Sequence, residues 1–310
     1  MLHYCVIGAG GTGGSIAAYL ARGGKKVSVV VRGEHGRRIR EQGIRMETTR
    51  FGTFTVSPVE CWEPLSREIN DHAGSADVIF VCVKGYSLEE TLPTIRELAH
   101  KDTVVIPILN IYGTGTRLQE QLPGLLVTDG CIYIAAEIGA PGVILQKGDI
   151  FRVVFGVRKP QEFRPVLREI DRDLRDSAIT SVLSENIQRD TLMKFSCISP
   201  MAACGLFYQC RAGVMQQNGE QRDTYITLIR EISAIADANG LSFEKDPVTE
   251  NLQILDALQP DACASMLRDV WSGKPSEIDG LVFEPVRMGR ACGVGVPTYE
   301  KIAAQFGFTL

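Results

Sequence analysis

The chain has 310 residues, of which 45% are hydrophobic and 23% charged, a composition typical of globular proteins. Its length exceeds the size at which one hydrophobic core usually stops growing, which predicts two domains. The formal net charge of −4 provides no basic field for nucleic acid or a membrane surface, so we expect a small molecule as partner.

The cysteines and the apolar runs indicate the cellular compartment of the protein. The nine cysteines are scattered singly, without a CxxC pair or a Cys/His spacing typical of zinc, so we predict buried thiols and no metal site. The first apolar run begins at Tyr4, which leaves no room for a signal peptide. Runs such as residues 78–83 are far shorter than the roughly 20 residues of a membrane-spanning helix. These features predict a cytoplasmic protein that does not cross a membrane.

Short apolar runs alternate with helical stretches in the first half of the chain. Such continuous runs are typical of parallel strands that helices cover on both faces. Their βαβ order predicts a right-handed, doubly wound α/β sheet, that is, a Rossmann domain in residues 1–180. The predicted strands are residues 4–7, 27–31, 78–83, 104–109 and 125–128.

The pattern changes after this sheet. Residues 131–157 alternate in polarity, and turn signals at residues 140–142 and 148–149 predict antiparallel strands at the edge of the same sheet. Further on, β-branched runs give way to amphipathic helices, one of which, residues 222–239, ends at an Asn-Gly stop signal. Residues 181–310 are therefore predicted to form an all-helical second domain.

A glycine-rich hexapeptide follows the first predicted strand and leads into a predicted helix at residues 14–22. Gly8 permits a tight turn, Gly10 lets the backbone approach a pyrophosphate, and Gly13 lets helix and strand pack closely. The helix N-terminus attracts phosphate. This context predicts a dinucleotide site, with a glycine-rich turn that binds nothing as the alternative. The residues of the predicted site are Gly8, Ala9, Gly10, Gly11, Thr12 and Gly13.

Arg32 ends the run of the second predicted strand, where NAD-binding sites carry an Asp or Glu for the ribose 2′-hydroxyl. A guanidinium there can pair with a 2′-phosphate, so the sequence favours NADP(H) over NAD(H). Arg37 and Arg38 are further candidates for the same phosphate. The alternative is that Arg32 is an ordinary exposed charge at a strand end.

Five polar residues stand in an informative order along the rest of the chain: Lys84, Asn110, Lys194, Ser265 and Glu277. Taken singly, each has an ordinary structural interpretation: the lysines are solvated charges, the serine begins a helix and the glutamate caps a helix. Taken with the glycine motif, their order resembles the 2-dehydropantoate 2-reductase (ketopantoate reductase) family over nearly the whole chain. The resemblance implies an NADPH-dependent reductase whose Rossmann domain precedes a helical domain similar to that of 6-phosphogluconate dehydrogenase.

The resemblance also implies a role for each of these residues. Lys194 matches the general acid, and Glu277 matches a carboxylate that orients it or accepts a hydrogen bond from the product hydroxyl, at the cofactor site. Ser265 matches a serine that binds the substrate carboxylate. Asn110 matches an asparagine near both nicotinamide and substrate, and Lys84 a lysine beside the cofactor. The chemistry is coherent, because hydride transfer leaves negative charge on an oxygen that an ammonium can stabilise and protonate.

Two segments depart from the family pattern. Leu109 and Ile111 flank Asn110, where well-characterised members have Gln and Gly. The residues after Lys194 offer the hydroxyls of Ser196 and Ser199 where those members have two asparagines, so we take Ser199 as a candidate substrate ligand. Such a change can alter which acid is bound, and the alternative is neutral drift within one activity.

The leading hypothesis is NADPH-dependent reduction of the C2 carbonyl of a branched 2-oxo acid, with 2-dehydropantoate as first candidate. That reaction yields pantoate for pantothenate and coenzyme A biosynthesis. One alternative is a reductase of a different 2-oxo or 3-oxo acid. Another is a non-catalytic NADP-binding sensor, because fold alone does not establish chemistry. Helical domains of this kind often pair, so a homodimer is the oligomeric state considered.

Overall fold

The computed structural model describes residues 1–57 and 60–309 of the chain. They divide into two compact units: the first comprises Met1–Leu109 and Gly113–Ile187, and the second Asn110–Tyr112 and Gln188–Leu310. The domain boundary expected at residue 180 lies before this division, because residues 180–183 form a strand of the first unit.

The first unit contains all the strands found in the described residues, interleaved with six α-helices. The strands are β1 (His3–Ile7), β2 (Lys26–Val30), β3 (Ile44–Thr48), β4 (Gly52–Val56), β5 (Glu60–Trp62), β6 (Ala76–Val81), β7 (Ala99–Pro107), β8 (Leu126–Val127), β9 (Asp129–Ala140), β10 (Val143–Gly156) and β11 (Thr180–Leu183). The helices are α1 (Gly11–Arg22), α2 (Gly33–Gln42), α3 (Arg67–Asn70), α4 (Leu92–Leu98), α5 (Thr114–Gln121) and α6 (Val166–Asp176).

Six of these strands form a parallel sheet in the order β5-β2-β1-β6-β7-β8. Strand β1, inside this sheet, explains why its strands are continuously apolar: both faces of the strand are buried. Tyr4 and Val6 of β1 point into one hydrophobic cluster, whereas Cys5 and Ile7 point into another on the opposite face. The predicted Rossmann sheet with both faces covered is confirmed.

The second sheet differs from the prediction. Antiparallel strands β9 and β10 do form, but they lie in a separate five-stranded sheet with the order β11-β10-β3-β4, in which β9 pairs with β10. Residues 140–142 make the expected turn between them, with Gly142 at φ +79°. The turn predicted at residues 148–149 is wrong: Gly148, at φ +68°, lies inside β10 where the pairing register with β9 shifts.

The second unit is helical in its described part. Its helices are α7 (Ile187–Tyr208, whose first residue counts with the first unit), α8 (Ala212–Met215), α9 (Glu220–Ala238), α10 (Pro247–Ala257), α11 (Ser265–Trp271), α12 (Glu284–Cys292) and α13 (Pro297–Gln305). A π-helical turn, Asp279–Phe283, directly precedes α12. The helix predicted at residues 222–239 is α9, which ends before Gly240 at φ +68°. Among the described residues, no helix has both the length and the apolarity needed to cross a membrane.

A buried carboxylate joins two helices of the second unit. Glu231 of α9 is 8% exposed and accepts hydrogen bonds from the backbone N–H groups of Thr298 and Tyr299, at 2.8 and 3.0 Å. These groups belong to the first turn of α13, where backbone N–H groups have no partner within the helix. Glu231 therefore caps α13 from a neighbouring helix, with negative charge at the positive end of the helix dipole.

We predict that Glu231→Gln lowers the free energy of unfolding by about 1.5–3 kcal/mol, because a charge-assisted hydrogen bond is lost and the new amide NH₂ faces a backbone N–H. Urea unfolding followed by far-UV circular dichroism measures the change. Asp237→Asn, at an exposed position of the same helix, is the matched control and should stay within about 0.5 kcal/mol of the wild type. Equal unfolding midpoints for Glu231→Gln and the wild type would contradict the capping role.

Candidate functional site

The glycine-rich loop between β1 and α1 combines close packing with one open position. Gly8 has φ +93°, and a Cβ there would lie 2.8 Å from the carbonyl oxygen of Cys82. A Cβ at Gly13 would overlap the carbonyl oxygen of Gly8, and one at Gly11 would lie 2.5 Å from that of Ala136. Gly10 differs, since a Cβ there would meet no atom within 4 Å.

These observations fit a dinucleotide. The packed glycines bring α1 close to the sheet, and the open space at Gly10 lets a phosphate reach the backbone at the start of α1. Thr12 lies in the first turn of α1, two residues after Gly10, and is half-buried. Ala9, directly before Gly10, is buried. The loop therefore has the shape that a pyrophosphate requires.

His35 holds this loop in place, and the sequence analysis missed it. Its Nε2–H donates to the Ala9 carbonyl at 2.8 Å, and its Nδ1 accepts from the Gly142 N–H at 3.0 Å. Because the carbonyl can only accept and the amide can only donate, the imidazole is neutral with its proton on Nε2. Burial lowers the pKa of His35 below its ordinary value of 6.5, which agrees with the neutral form. A single histidine outside any motif gives no sequence signal for this role.

Arg32 lies immediately before α2, after the end of β2, and its side chain is 72% exposed. It forms an ion pair with Glu90 at 3.4 Å, and because both side chains are exposed this pair contributes little to stability. Arg37 and Arg38, the other candidates for the 2′-phosphate, form ion pairs with Glu34 of their own helix at 2.7 and 3.2 Å. The geometry thus leaves Arg32 more accessible to a ligand than either of them.

Lys194 and Asn110 lie together in the second unit, although 84 positions separate them in sequence. Lys194 is on the third turn of α7 and only 7% exposed, and its Nζ donates to Asn110 Oδ1 at 2.8 Å. A buried ammonium requires such a partner. The hydrogen bond keeps the cation in one position, which a proton donor needs.

The other predicted residues lie in three separate parts of the chain. Glu277 is 4% exposed, and its carbonyl accepts from the N–H of Leu281 in the π-helical turn at 2.9 Å. Ser265 is the first residue of α11 and half-buried. Lys84, in the first unit, precedes a 3₁₀ turn after β6 and is half-buried.

The two serines after Lys194 have partners inside the helical core. Ser199 is 0% exposed, and its hydroxyl lies 2.7 Å from the Leu281 carbonyl and 2.6 Å from the Tyr299 hydroxyl. Ser196 is equally buried; its hydroxyl donates to the Met193 carbonyl. The substrate contact expected for Ser199 therefore has no support. Five residues of α-helix turn its side chain about 140° from that of Lys194.

We predict that His35 makes folding pH-dependent. A lowered folded-state pKa means that the unfolded chain binds a proton which the folded chain does not. The stability that depends on neutral His35 is thus complete above roughly pH 6.5 and is lost as the pH falls below it. His35→Gln can keep both hydrogen bonds without titrating, so its unfolding free energy should fall less steeply between neutral and acid pH.

Urea unfolding at several pH values measures this difference. His3, whose pKa is also lowered by burial, is present in both proteins and cancels in the comparison. Parallel stability curves for the wild type and His35→Gln would contradict the assignment.

Two family models match most of the chain: "Ketopantoate reductase PanE/ApbA" at residues 4–160 and "Ketopantoate reductase PanE/ApbA C terminal" at residues 186–308. The curated relative "Uncharacterized oxidoreductase YkpB" of Bacillus subtilis is 24% identical, with 98% of this chain and 97% of the relative covered.

Solved structures show the same fold at lower identity. A 2-dehydropantoate 2-reductase from Methylococcus capsulatus superposes with a TM-score of 0.86 at 23% identity, covering 98% of this chain and 96% of that one. A D-mandelate dehydrogenase solved with NADH and anilino(oxo)acetate gives a TM-score of 0.83 at 18% identity, covering 97% and 96%. The family inferred from the order of motifs is confirmed: the chain is an oxidoreductase that belongs to the ketopantoate reductase family, whose members reduce 2-oxo acids with a nicotinamide cofactor.

Proposed function

We propose that the chain catalyses NADPH-dependent reduction of the C2 carbonyl of a 2-oxo acid, with 2-dehydropantoate as the first candidate and pantoate as its product. The observation that carries the proposal is the buried Lys194 ammonium held by Asn110. The glycine loop of the same chain has the packing and the opening that a dinucleotide requires. Reduction of 2-dehydropantoate would place the enzyme in pantothenate biosynthesis.

Lys194 supplies the acid in this proposal. NADPH, when bound, provides the hydride, and the reduced carbonyl oxygen then carries negative charge. An ammonium has three N–H donors, so Lys194 can keep its hydrogen bond to Asn110 and also donate to this oxygen. It first stabilises the charge and then transfers a proton to form the hydroxyl. The buried setting strengthens both effects, because little water screens the charge.

The remaining roles rest on position and chemistry. We assign Glu277, buried before the π-helical turn, to orienting Lys194 or accepting from the product hydroxyl. Ser265 supplies a hydroxyl at the start of α11 for the substrate carboxylate. Lys84 and the glycine loop are assigned to the cofactor, and Arg32 to its 2′-phosphate.

One observation favours a second candidate substrate, a 2-oxo acid whose side chain is wholly apolar. Ile198 follows Lys194 by one helical turn, so the two side chains lie on one face of α7. Ile198 is partly exposed, whereas the hydroxyls of Ser196 and Ser199 are engaged in the core. An isoleucine beside the acid offers no hydrogen-bond partner for the hydroxyl of 2-dehydropantoate at this position, which favours an apolar side chain there.

The sensor alternative is less well supported by the same geometry. A protein that only binds NADP(H) has no need for a buried ammonium, since burying a charge costs free energy. A homodimer and a cytoplasmic location remain predictions. None of the nine cysteines, all of which lie in the described residues, forms a disulfide, and this supports the latter because thiols stay reduced in the cytoplasm.

We predict that Lys194→Ala lowers kcat for the 2-oxo acid by roughly 10²- to 10⁴-fold while NADPH affinity changes less than about threefold, because only the proton donor is lost. NADPH oxidation followed by absorbance measures the rate, and fluorescence titration measures binding. Lys245→Ala is the control, since the Lys245 side chain is 73% exposed at the start of α10. Unchanged activity in Lys194→Ala would show that the acid is misassigned.

The same assay with the wild type distinguishes the substrates. Faster turnover of 2-dehydropantoate than of 2-oxo acids with purely aliphatic or aromatic side chains supports the first candidate, and the reverse order supports the second. No turnover of any acid despite tight NADPH binding would favour the sensor.

We predict that Arg32→Ala weakens NADPH binding by roughly 10- to 100-fold and leaves NADH binding within about threefold, because a charge-assisted hydrogen bond to the 2′-phosphate is lost. Isothermal titration with each cofactor measures both affinities. Arg37→Ala, at the paired arginine of α2, should change neither. A wild type that binds NADH more tightly than NADPH would refute the cofactor preference.

A further inference from the structure

Asn110 reaches Lys194 as part of a three-residue segment, Asn110–Tyr112, that packs with the second unit although its chain neighbours belong to the first. Both residues after Asn110 contact the helical core. Ile111 is 8% exposed within the core cluster of the second unit, and the ring of Tyr112 lies 6.2 Å from that of Phe195. The position of Asn110 therefore depends on how Ile111 and Tyr112 pack.

Ile111 packs against a position where no side chain fits. A Cβ at Gly280 would overlap Cδ1 of Ile111 and lie 2.6 and 3.1 Å from its Cγ1 and Cγ2. Both the Cγ1 and the Cγ2 branch of the isoleucine approach this Cβ. Rotation of Ile111 about its Cα–Cβ bond would therefore replace one close contact by another and would not remove the overlap. Gly280 has no positive φ, so what this position demands is space and not an unusual backbone conformation.

Gly280 lies in the π-helical turn Asp279–Phe283, which begins two residues after Glu277. The Leu281 N–H donates to the Glu277 carbonyl at 2.9 Å, which ties the glutamate to the turn. Turns of this kind occur frequently at functional sites. One packing contact, Ile111 on Gly280, thus bears on both Asn110 and Glu277.

We propose that Gly280 and Ile111 are positioning residues of the reductase: the bare backbone of Gly280 receives the Ile111 side chain and thereby holds Asn110 on Lys194. This inference rests on the proposed function, in which Lys194 is the acid. The competing interpretation is ordinary core packing, in which a change at Gly280 lowers stability and leaves the acid in place.

Gly280→Ala tests the proposal. The added methyl pushes Ile111 back, so the Asn110 Oδ1 to Lys194 Nζ distance in a crystal structure should increase from 2.8 Å to beyond hydrogen-bonding range. kcat should fall by about 10²-fold, the effect of a displacement on the order of 1 Å, with KM changed much less. Adding Ile111→Ala removes the atoms that the methyl meets, so the double variant should recover at least about tenfold of kcat and the short distance.

Two further glycines of the second unit serve as controls. Gly289→Ala is also crowded, with a Cβ 2.7 Å from the Val294 carbonyl oxygen, but its nearest atoms belong to Val294 and Val296 and not to Asn110–Tyr112. It should lower stability and preserve kcat. Gly295→Ala, with nothing within 4 Å of the added Cβ, should change neither.

The proposal is overturned if Gly280→Ala keeps both kcat and the short distance, if the double variant is no better than Gly280→Ala, or if Gly289→Ala loses kcat to the same extent. The crystallographic distance needs no turnover. If the wild type reduces no 2-oxo acid, the proposed function fails, and the distances in Gly280→Ala and the double variant alone decide whether Gly280 positions Asn110.

Discussion

The buried ammonium of Lys194 is the constraint around which the second unit is organised. A charge with 7% exposure is tolerated only if partners satisfy it, and Asn110, one such partner, arrives from a distant part of the chain. Its amide oxygen accepts a hydrogen bond from Lys194 Nζ and so helps to fix the cation. A cation held in one position is suited to a developing oxyanion.

The glycine loop between β1 and α1 also has to be held in one conformation, and here neutral groups hold it. Phosphates need backbone N–H donors held in place, and a loop of glycines has little rigidity of its own. His35 supplies that rigidity by bridging the Ala9 carbonyl and the Gly142 N–H. The imidazole thereby connects α2 and the β9–β10 turn to the loop, so two supports outside the motif determine its shape.

Local features of the site could be predicted because their signal lies within a few residues. The strand, glycine loop and helix at the N-terminus form one continuous pattern, and the sheet built on it is confirmed. The hydrogen bond between Lys194 and Asn110 is not visible in spacing, since only tertiary folding joins them. The family resemblance assigned both residues to the site but did not pair them. The direction of Ser199 could not be read from the sequence, because its proximity to Lys194 along the chain conceals a different direction around the helix.

The second sheet escaped prediction for another physical reason. Strands β3 and β4 are short and mix polar with apolar residues, and their hairpin joins the sheet only through pairing of β3 with the remote strand β10. The sequence around Gly148 predicted a turn because glycine with a positive φ is common in turns and in β-bulges alike. His35 was missed for the same kind of reason, since its two partners are distant backbone groups.

Strand β10 has a consequence for how the chain is made. Along one edge it pairs with two short parallel strands, β3 through Val143–Gln146 and β11 through Arg152–Phe155. During synthesis, β3 leaves the ribosome long before β10 exists, and β11 follows only after α6. The hairpin of β3 and β4 must therefore wait with an unpaired edge until β10 emerges, and the edge of β10 is complete only once β11 has followed. Such non-local pairing makes folding slow. The second sheet can be complete only after the ribosome has translated all strands of the first unit.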